Sequence, residues 1–142
     1  MAINVIDVYL KNEPGSLAEV TGILELIGIN IYCIAHSGEE DYIPVSIVVS
    51  NTEKAVHELR KRDFELEVEE GIACEIPHHP GGLHSILKII AEAEINITSA
   101  FSAPSKVSGS AVIIFRVNDT EKTEVILKKN WIKLLEVEDF SK

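Results

Sequence analysis

The sequence predicts an α+β protein built from two similar units, each an antiparallel sheet with two helices on one face. Two observations lead to this prediction. The chain repeats itself at a constant spacing, and each repeat alternates strand-like stretches with stretches of helical hydrophobic spacing. The composition agrees, because 46% of the 142 residues are hydrophobic and 25% are charged, as in ordinary globular proteins.

The repeat has an offset of 66 residues. Residues 12–31 read NEPGSLAEVTGILELIGINI, and residues 78–97 read HHPGGLHSILKIIAEAEINI. The two segments share a Pro-Gly pair and a closing Ile-Asn-Ile. A second match, the Thr-Glu-Lys triplets that begin at 52 and at 120, has an offset of 68. We therefore interpret the chain as a tandem duplication with domains at 1–70 and 71–142.

The first copy begins with a strand and a helix. Residues 3–10 are β-branched and aromatic-rich, which favours a strand, and Pro14-Gly15 then interrupts the pattern. Apolar residues at helical spacing follow. Ser16 and Glu19 have the spacing of a capping box, which predicts a helix from Ser16. Gly28 is a suitable end for that helix.

Three further strands, a hairpin loop and a second helix complete the first copy. Pro44 cannot donate a ladder hydrogen bond, which favours an edge or a bulge at that point. Asn51 or Thr52 can cap the second helix. The predicted ranges are strand 29–35, hairpin loop 36–41, strand 42–49, a helix to about residue 62, and strand 64–68.

The second copy repeats this order after a short linker, Glu69-Glu70-Gly71. Phe64 and Trp131 begin the last strand of each copy and are predicted core residues. The ranges are strand 72–77, helix 82–93, strand 95–103, loop 104–109, strand 111–117, helix 119–129 and strand 131–137. The order β-α-β-β-α-β is that of the ferredoxin-like split βαβ motif.

The first strand is apolar on both of its faces. Ile6, Val8 and Leu10 point to one side, and Ile3 and Val5 point to the other. A sheet with one solvated face would show a cleaner alternation. We therefore expect the helix-free face to be covered, and we predict a homodimer.

The charge and the apolar pattern exclude several partners. The formal net charge is −10, and a phosphate backbone requires a clustered basic surface. The basic runs Arg60-Lys61-Arg62 and Lys128-Lys129 follow predicted helices, where cations suit the negative helix end. No export signal or long apolar run is present. We expect no nucleic-acid or membrane partner and a cytoplasmic location.

The two cysteines have no metal-binding or redox spacing. Cys33 and Cys74 each lie in a strand-like stretch. We expect buried, reduced thiols, because cysteine packs as a small hydrophobic residue.

The loop between the first strand and the first helix is the best candidate for a binding site. The free N–H groups and the dipole of a helix N-terminus suit an anion such as a carboxylate, and Gly15 allows a ligand to approach the backbone. The Asn12 amide can both donate and accept hydrogen bonds. Asn30 lies at the opposite end of the sheet within one copy, so only a neighbouring copy would bring the two together. A simple tight turn at Pro14-Gly15, and a polar entry to the strand at Asn30, explain the same residues without a ligand.

The duplicated pattern of strand, N-x-P-G-x-L loop, helix and G-I-N-I strand resembles the ACT domain over nearly the whole chain. The resemblance implies a non-catalytic regulatory module that binds an amino acid or another small metabolite between units. It also implies a metabolic enzyme as a partner. In the serine-inhibited dehydrogenase branch the ligand contacts come from two Asn residues at the positions of Asn12 and Asn30, and from a His at the position of Leu10.

The second copy departs further from that pattern. Asn96 matches, but His78 replaces the loop Asn and Ile76 occupies the His position. The first copy thus has the more complete site. The candidate ligand-binding residues are Asn12, Glu13, Pro14, Gly15, Ser16, Leu17, Asn30 and Ile31 in the first copy, and His78, His79, Pro80, Gly81, Gly82, Leu83, Asn96 and Ile97 in the second.

Two alternative functions remain open at this point. His78, His79 and His84 cluster near one helix start, and imidazole is a common ligand for transition metals, which would suit a metal sensor. A scaffold that only oligomerises is the other alternative. An enzyme is not expected, because no nucleophile, phosphate-binding or zinc-protease motif occurs. We also expect no cofactor.

Overall fold

The computed structural model of the protein describes residues 2–141. Its elements follow the predicted order in both copies. They are β1 (Ile3–Lys11), α1 (Ser16–Leu26), β2 (Ile31–His36), β3 (Tyr42–Val49), α2 (Thr52–Lys61), β4 (Leu66–Pro77), α3 (Gly82–Glu92), β5 (Ile97–Ala103), β6 (Ser110–Val117), α4 (Thr120–Lys129), β7 (Lys133–Leu135) and a 3-10 helix (Val137–Phe140).

The contacts divide the chain into two compact units. Unit one comprises Asn4–Glu69, and unit two contains the residues from Glu70 onward together with Ile3. In unit one the strand order is β2-β3-β1-β4, with antiparallel pairs such as Lys11 with Tyr42 and Ile31 with Val49. In unit two the order is β5-β6-β4-β7, again antiparallel. The predicted α+β class and the ferredoxin-like arrangement are confirmed.

Each unit has its own core between its two helices and its sheet. In unit one the α1 residues Val20 and Leu24 and the α2 residue Leu59 pack against alternate residues of β1 and β3. In unit two Ile86, Ile90 and Leu127 pack in the same way around Phe115 of β6. Because burying one such side chain contributes about 1.5–3 kcal/mol, the two cores are the main source of stability.

Part of the helix-free face of each sheet is also buried. Val5 and Val48 of unit one are 0% and 1% exposed, and Ala73 and Ile114 of unit two are both 0% exposed. Tyr42, which alternates with Val48 along β3, is 61% exposed. The expected covering therefore holds for part of this face, and the homodimer stays a prediction.

The linker predicted at Glu69-Glu70-Gly71 does not exist as a separate segment. These residues lie inside β4, which runs without interruption from Leu66 to Pro77. Two separate strands were predicted here because two consecutive glutamates followed by a glycine are typical of a polar linker. Exposed glutamates on one part of a strand are compatible with backbone ladder bonds, so polarity alone did not mark an end.

Pro44 lies neither on an edge strand nor at a bulge, the two positions that the sequence favoured. It pairs with Tyr9 inside the β1–β3 ladder, and the β2–β3 ladder stops one residue away, at His36 and Val45. The side of Pro44 that lacks an N–H thus faces no strand. Its carbonyl accepts a hydrogen bond from Nδ1 of His36 at 3.1 Å.

The connection from α4 to β7 differs from the prediction. Trp131 was expected in the core but is 94% exposed and has a left-handed backbone (φ 63°). Phe64 precedes its strand and is only partly buried against the core of unit one. The last strand is short, and the 3-10 helix at Val137–Phe140 was not anticipated.

Both thiols are buried, as predicted. Cys33 of β2 is 5% exposed and Cys74 of β4 is 0% exposed, and neither forms a disulfide. Burial disfavours the thiolate, which raises the pKa of Cys33 to about 11 and that of Cys74 to about 12. Among residues 2–141, no helix is long and apolar enough to cross a membrane.

The raised pKa of Cys74 predicts a loss of stability at alkaline pH. Above the unfolded pKa of 9.0 the unfolded thiol releases its proton while the folded thiol keeps it, up to about 12. The free energy of unfolding should fall by up to about 1.4 kcal/mol per pH unit in that window. Denaturant unfolding between about pH 8 and pH 10.5 measures this slope. In Cys74→Ala the slope should be shallower, and an identical slope in both proteins would contradict the assignment.

Candidate functional site

The β1–α1 loop of unit one is held in place by backbone hydrogen bonds and by Asn12. The Asn12 N–H donates to the carbonyl of Asp41 at 2.7 Å, and its Nδ2 donates to the carbonyl of Glu40 at 3.0 Å. The loop then turns at Gly15, whose φ of 88° is left-handed. Asn12 thus ties this loop to the β2–β3 hairpin, and its side chain has a structural role before any ligand is considered.

The helices that follow the two loops start without a side-chain cap. Gly15 is the N-cap of α1 and Gly81 is the N-cap of α3, and neither helix has a side-chain cap hydrogen bond. The capping box predicted for Ser16 and Glu19 does not form, because Ser16 is already the first helical residue and the N-cap lies one residue earlier.

The other two helices provide an internal comparison. Oδ1 of Asn51 accepts from the Lys54 N–H at 3.1 Å, and Oδ1 of Asp119 accepts from the Lys122 N–H at 3.0 Å. The side-chain caps are therefore present on α2 and α4, away from the candidate loops. The first N–H of each of α1 and α3 already donates within its loop, from Ser16 to the Glu13 carbonyl and from Gly82 to the His79 carbonyl. The next N–H groups of the first turn and the positive end of the helix dipole can still interact with an anion.

A cavity of about 280 Å³ lies beside the β1–α1 loop in unit one. Of the predicted residues, only Glu13 and Ser16 line it. The other lining residues are not among the predicted site residues, and most of them are brought to the loop by the α2–β4 connection and by the ends of β1 and β3. These are Tyr9, Leu10, Lys11, Glu19, Tyr42, Asp63, Phe64 and Glu65.

The cavity carries a negative potential. Four of its side chains are carboxylates, and its single lysine, Lys11, pairs with Glu13 at 3.5 Å. Carboxylates outside the cavity lining also act on the phenol of Tyr9. Its pKa is raised above 10.0, chiefly by the Glu67 carboxylate and then by burial, with Asp7 and Glu65 adding to the effect.

Asn30 lies far from this cavity. Lys11, next to Asn12, pairs with Tyr42, whereas Ile31, next to Asn30, pairs with Val49. The two ends of β3 are about 23 Å apart at 3.3 Å per residue. The expected separation of Asn12 and Asn30 within one copy is confirmed. The backbone of Asn30 exchanges hydrogen bonds with Ser50.

The strands after Asn30 and Asn96 share an irregularity. The β2–β3 register shifts between Ile31 and Cys33, and the β5–β6 register shifts between Ile97 and Ser99. A bulge re-aims the neighbouring side chains. Its presence at the same place in both units shows that the duplication preserved a local geometry that the sequence pattern did not reveal.

The corresponding loop of unit two brings the backbone closer to the start of its helix. The His78 N–H donates to the carbonyl of Gly109 at 2.9 Å, and Nδ1 of His79 donates to the carbonyl of Pro80 at 2.8 Å. A Cβ at Gly82 would lie only 2.1 Å from the carbonyl oxygen of Pro77. The backbone therefore occupies in unit two the space next to the helix start where unit one has Ser16 and the cavity.

The structure does not assemble a metal site from the histidines. His78, His79 and His84 are all exposed, and no group of three His, Cys, Asp or Glu side chains within residues 2–141 is placed to hold a metal ion. The three residues are close together in sequence, but their side chains do not converge on a common site.

Comparison with known proteins agrees with this architecture. The profile of a family described as an ACT domain pair matches residues 1–142. No curated protein matches the sequence significantly. The crystal structure of protein BT0572 from Bacteroides thetaiotaomicron is similar, with a TM-score of 0.92 and 24% identity, over 100% of this chain and 97% of that chain.

Two regulatory subunits of aspartate kinase share the fold. The ligand-free form from Thermus thermophilus has a TM-score of 0.67 and 18% identity, over 92% of this chain and 91% of that chain. The subunit from Thermus flavus has a TM-score of 0.61 and 14% identity, over 98% of this chain and 92% of that chain.

The contrast between the two helix starts predicts that alanine is tolerated at residue 16 but destabilises the protein at residue 82. Gly82→Ala places its Cβ against the Pro77 carbonyl, and we expect a loss of more than about 2 kcal/mol because the backbone must move. The equivalent change in unit one, Ser16→Ala, should alter stability by less than about 0.5 kcal/mol, since no side-chain cap is lost. Denaturant unfolding of both variants measures the difference. Equal losses would contradict the close approach of the Pro77 carbonyl to Gly82.

Proposed function

The chain belongs to the ACT domain pair family, and from this premise we propose that it is a non-catalytic regulatory module that binds a free amino acid. We place the ligand in unit one, in the cavity beside the β1–α1 loop. Regulatory subunits of aspartate kinase share the fold, which supports a regulatory role beside a metabolic enzyme. A cytoplasmic location stays part of this proposal.

The observation that carries the proposal is an uncapped helix start next to a cavity rich in carboxylates. The first turn of α1 has no side-chain cap, and it can accept the α-carboxylate of a ligand. Glu13, Glu19 and Asp63 line the same cavity and can accept hydrogen bonds from an ammonium group. A zwitterion is complementary to this pair of features, whereas a simple anion would meet the carboxylates.

The charge of the cavity also indicates which amino acids should bind with the highest affinity. Its carboxylates outnumber its one lysine, which is already paired with Glu13. An acidic side chain would be repelled, and a cationic one would be attracted. The aromatic rings of Tyr9, Tyr42 and Phe64 on the wall offer further favourable contact to a cation. We therefore infer a preference for lysine, arginine or ornithine over aspartate and glutamate.

Binding would regulate a partner by stabilising one arrangement of the protein over another. A ligand shifts such an equilibrium only by its difference in affinity for the two arrangements. The Asn12 loop is tied to the β2–β3 hairpin through Glu40 and Asp41, so a ligand held at the loop would act on both. Asn30 would contribute only if another molecule supplied it, because it is remote within unit one.

A thermal-shift screen of the common amino acids tests the proposal. A ligand at about 100 times its Kd should stabilise the protein by about 2.7 kcal/mol, and cationic amino acids should give the largest shifts. Asp63→Asn removes one carboxylate and keeps the left-handed backbone (φ 65°), which asparagine tolerates. We expect its affinity to fall about tenfold or more. Calorimetric titration measures the change.

The control is Glu121→Gln, which removes one carboxylate from α4 in unit two and should leave affinity unchanged. If no amino acid shifts the melting temperature at millimolar concentration, the regulatory binding proposal fails and a ligand-free scaffold is the better description. If acidic amino acids bind as tightly as cationic ones, the assignment to this cavity fails.

A further inference from the structure

The outer face of α1 differs from that of its counterpart in unit two. Ala18, Gly22 and Leu26 follow at a spacing of four residues and lie opposite the buried residues of α1. At the offset of 66, α3 has His84, Lys88 and Glu92 in the same places. Leu26 is 77% exposed. The same fold position is thus polar in unit two, as a solvated helix requires, and apolar in unit one.

Gly22 has no explanation within the chain. A Cβ at Gly22 would meet nothing within 4 Å, and its φ is not left-handed. Glycine in a helix interior is less favourable than every residue except proline. A glycine there removes a side chain from the outer face and lets another surface approach the helix closely.

The outer surface of α4 and of the residues that follow it is also more apolar than the equivalent surface at α2. Val125 is 60% exposed and Trp131 is 94% exposed, whereas at the offset of 68 unit one has His57 and Asp63. All four helices are followed by a left-handed residue one position after the C-cap, and the other three are Gly28, Asp63 and Glu94. A bulky aromatic residue in that backbone conformation is an outlier.

The two apolar surfaces have opposite flanking charges. Glu19 and Glu25 flank the α1 face, which has no basic residue. Lys122, Lys128 and Lys129 lie around Val125 on the exposed side of α4 together with Glu121, so these flanking charges are net positive. We call these the α1 face (Ala18, Gly22, Glu25 and Leu26) and the α4 surface (Lys122, Val125, Lys128, Lys129 and Trp131). Each presents the charges and the apolar contact that the other lacks.

We propose that the α1 face of one molecule docks against the α4 surface of a second copy of this chain. In a two-fold pair this contact would form twice. Contact between two α1 faces is disfavoured because it would oppose glutamates to glutamates. The proposal does not depend on the occupancy of the ligand site. Of the residues that it uses, Glu19 beside the α1 face also lines the cavity, and the residues that define the two surfaces do not.

Light scattering coupled to gel filtration tests the contact on the full chain. The expected mass is about twice the chain mass of 15.7 kDa. Leu26→Glu and Trp131→Asp each install the residue type that the other unit has at the equivalent position, so both should fold. Each should weaken dimerisation by about 30-fold or more, the loss that follows removal of an apolar anchor. Circular dichroism checks that the variants are folded.

Mixing the two variants distinguishes this contact from a symmetric one. Leu26→Glu keeps the α4 surface and Trp131→Asp keeps the α1 face, so an equimolar mixture can form one of the two contacts. We expect the mixture to associate more strongly than either variant alone. Association should also weaken at high salt, because the flanking charges are screened. Gly22→Lys, which copies Lys88, is a second variant expected to be monomeric.

The control is Val107→Thr, which removes a 48% exposed apolar side chain from the β5–β6 loop and should stay dimeric. A monomeric wild-type protein at high concentration would overturn the proposal. So would a dimer that is unaffected by Leu26→Glu or by Trp131→Asp, or a mixture of the two variants that associates no better than each alone.

Discussion

The left-handed conformation of Gly15 and Gly81 is the constraint on which both candidate loops depend. Each has a φ of 88° at the N-cap of its helix, a conformation that side chains other than glycine adopt with strain. Because glycine has no side-chain oxygen, the turn that it makes possible also leaves the helix uncapped. One backbone requirement thus accounts for the Pro-Gly repeat and for the absence of a side-chain cap at the start of α1 and α3.

The sequence predicted most of what local chemistry decides. Pro14-Gly15 and Gly28 bracket α1, and Asn51 caps α2, because turns and helix ends are made by residues next to one another. It failed where distant residues decide. Glu69 and Glu70 lie inside β4, a strand whose neighbours in the sheet, β1 and β6, are distant in sequence. Asp63 and Glu13 line the same cavity although they are distant in sequence, so only the folded chain brings them together.

Trp131 shows a different kind of failure. An aromatic residue before an apolar run is typical of a strand entering a core, and nothing local contradicts that interpretation. The duplication contained the missing signal, because Trp131 aligns with Asp63 at the offset of 68 and Asp63 follows a helix end. Aligning the copies residue by residue, rather than by their shared motifs, would have placed Trp131 outside the strand.

The two copies share their core positions and differ on their loops and outer helix faces. Residues 1–70 carry fourteen acidic and five basic residues, whereas residues 71–142 carry nine and eight, so the negative potential belongs mainly to the first copy. The open cavity lies in that copy beside Ser16, and the second copy has a backbone carbonyl against Gly82 instead. The excess of carboxylates and the open space thus occur in the same copy. They are the two features on which the proposed binding of an ammonium group depends.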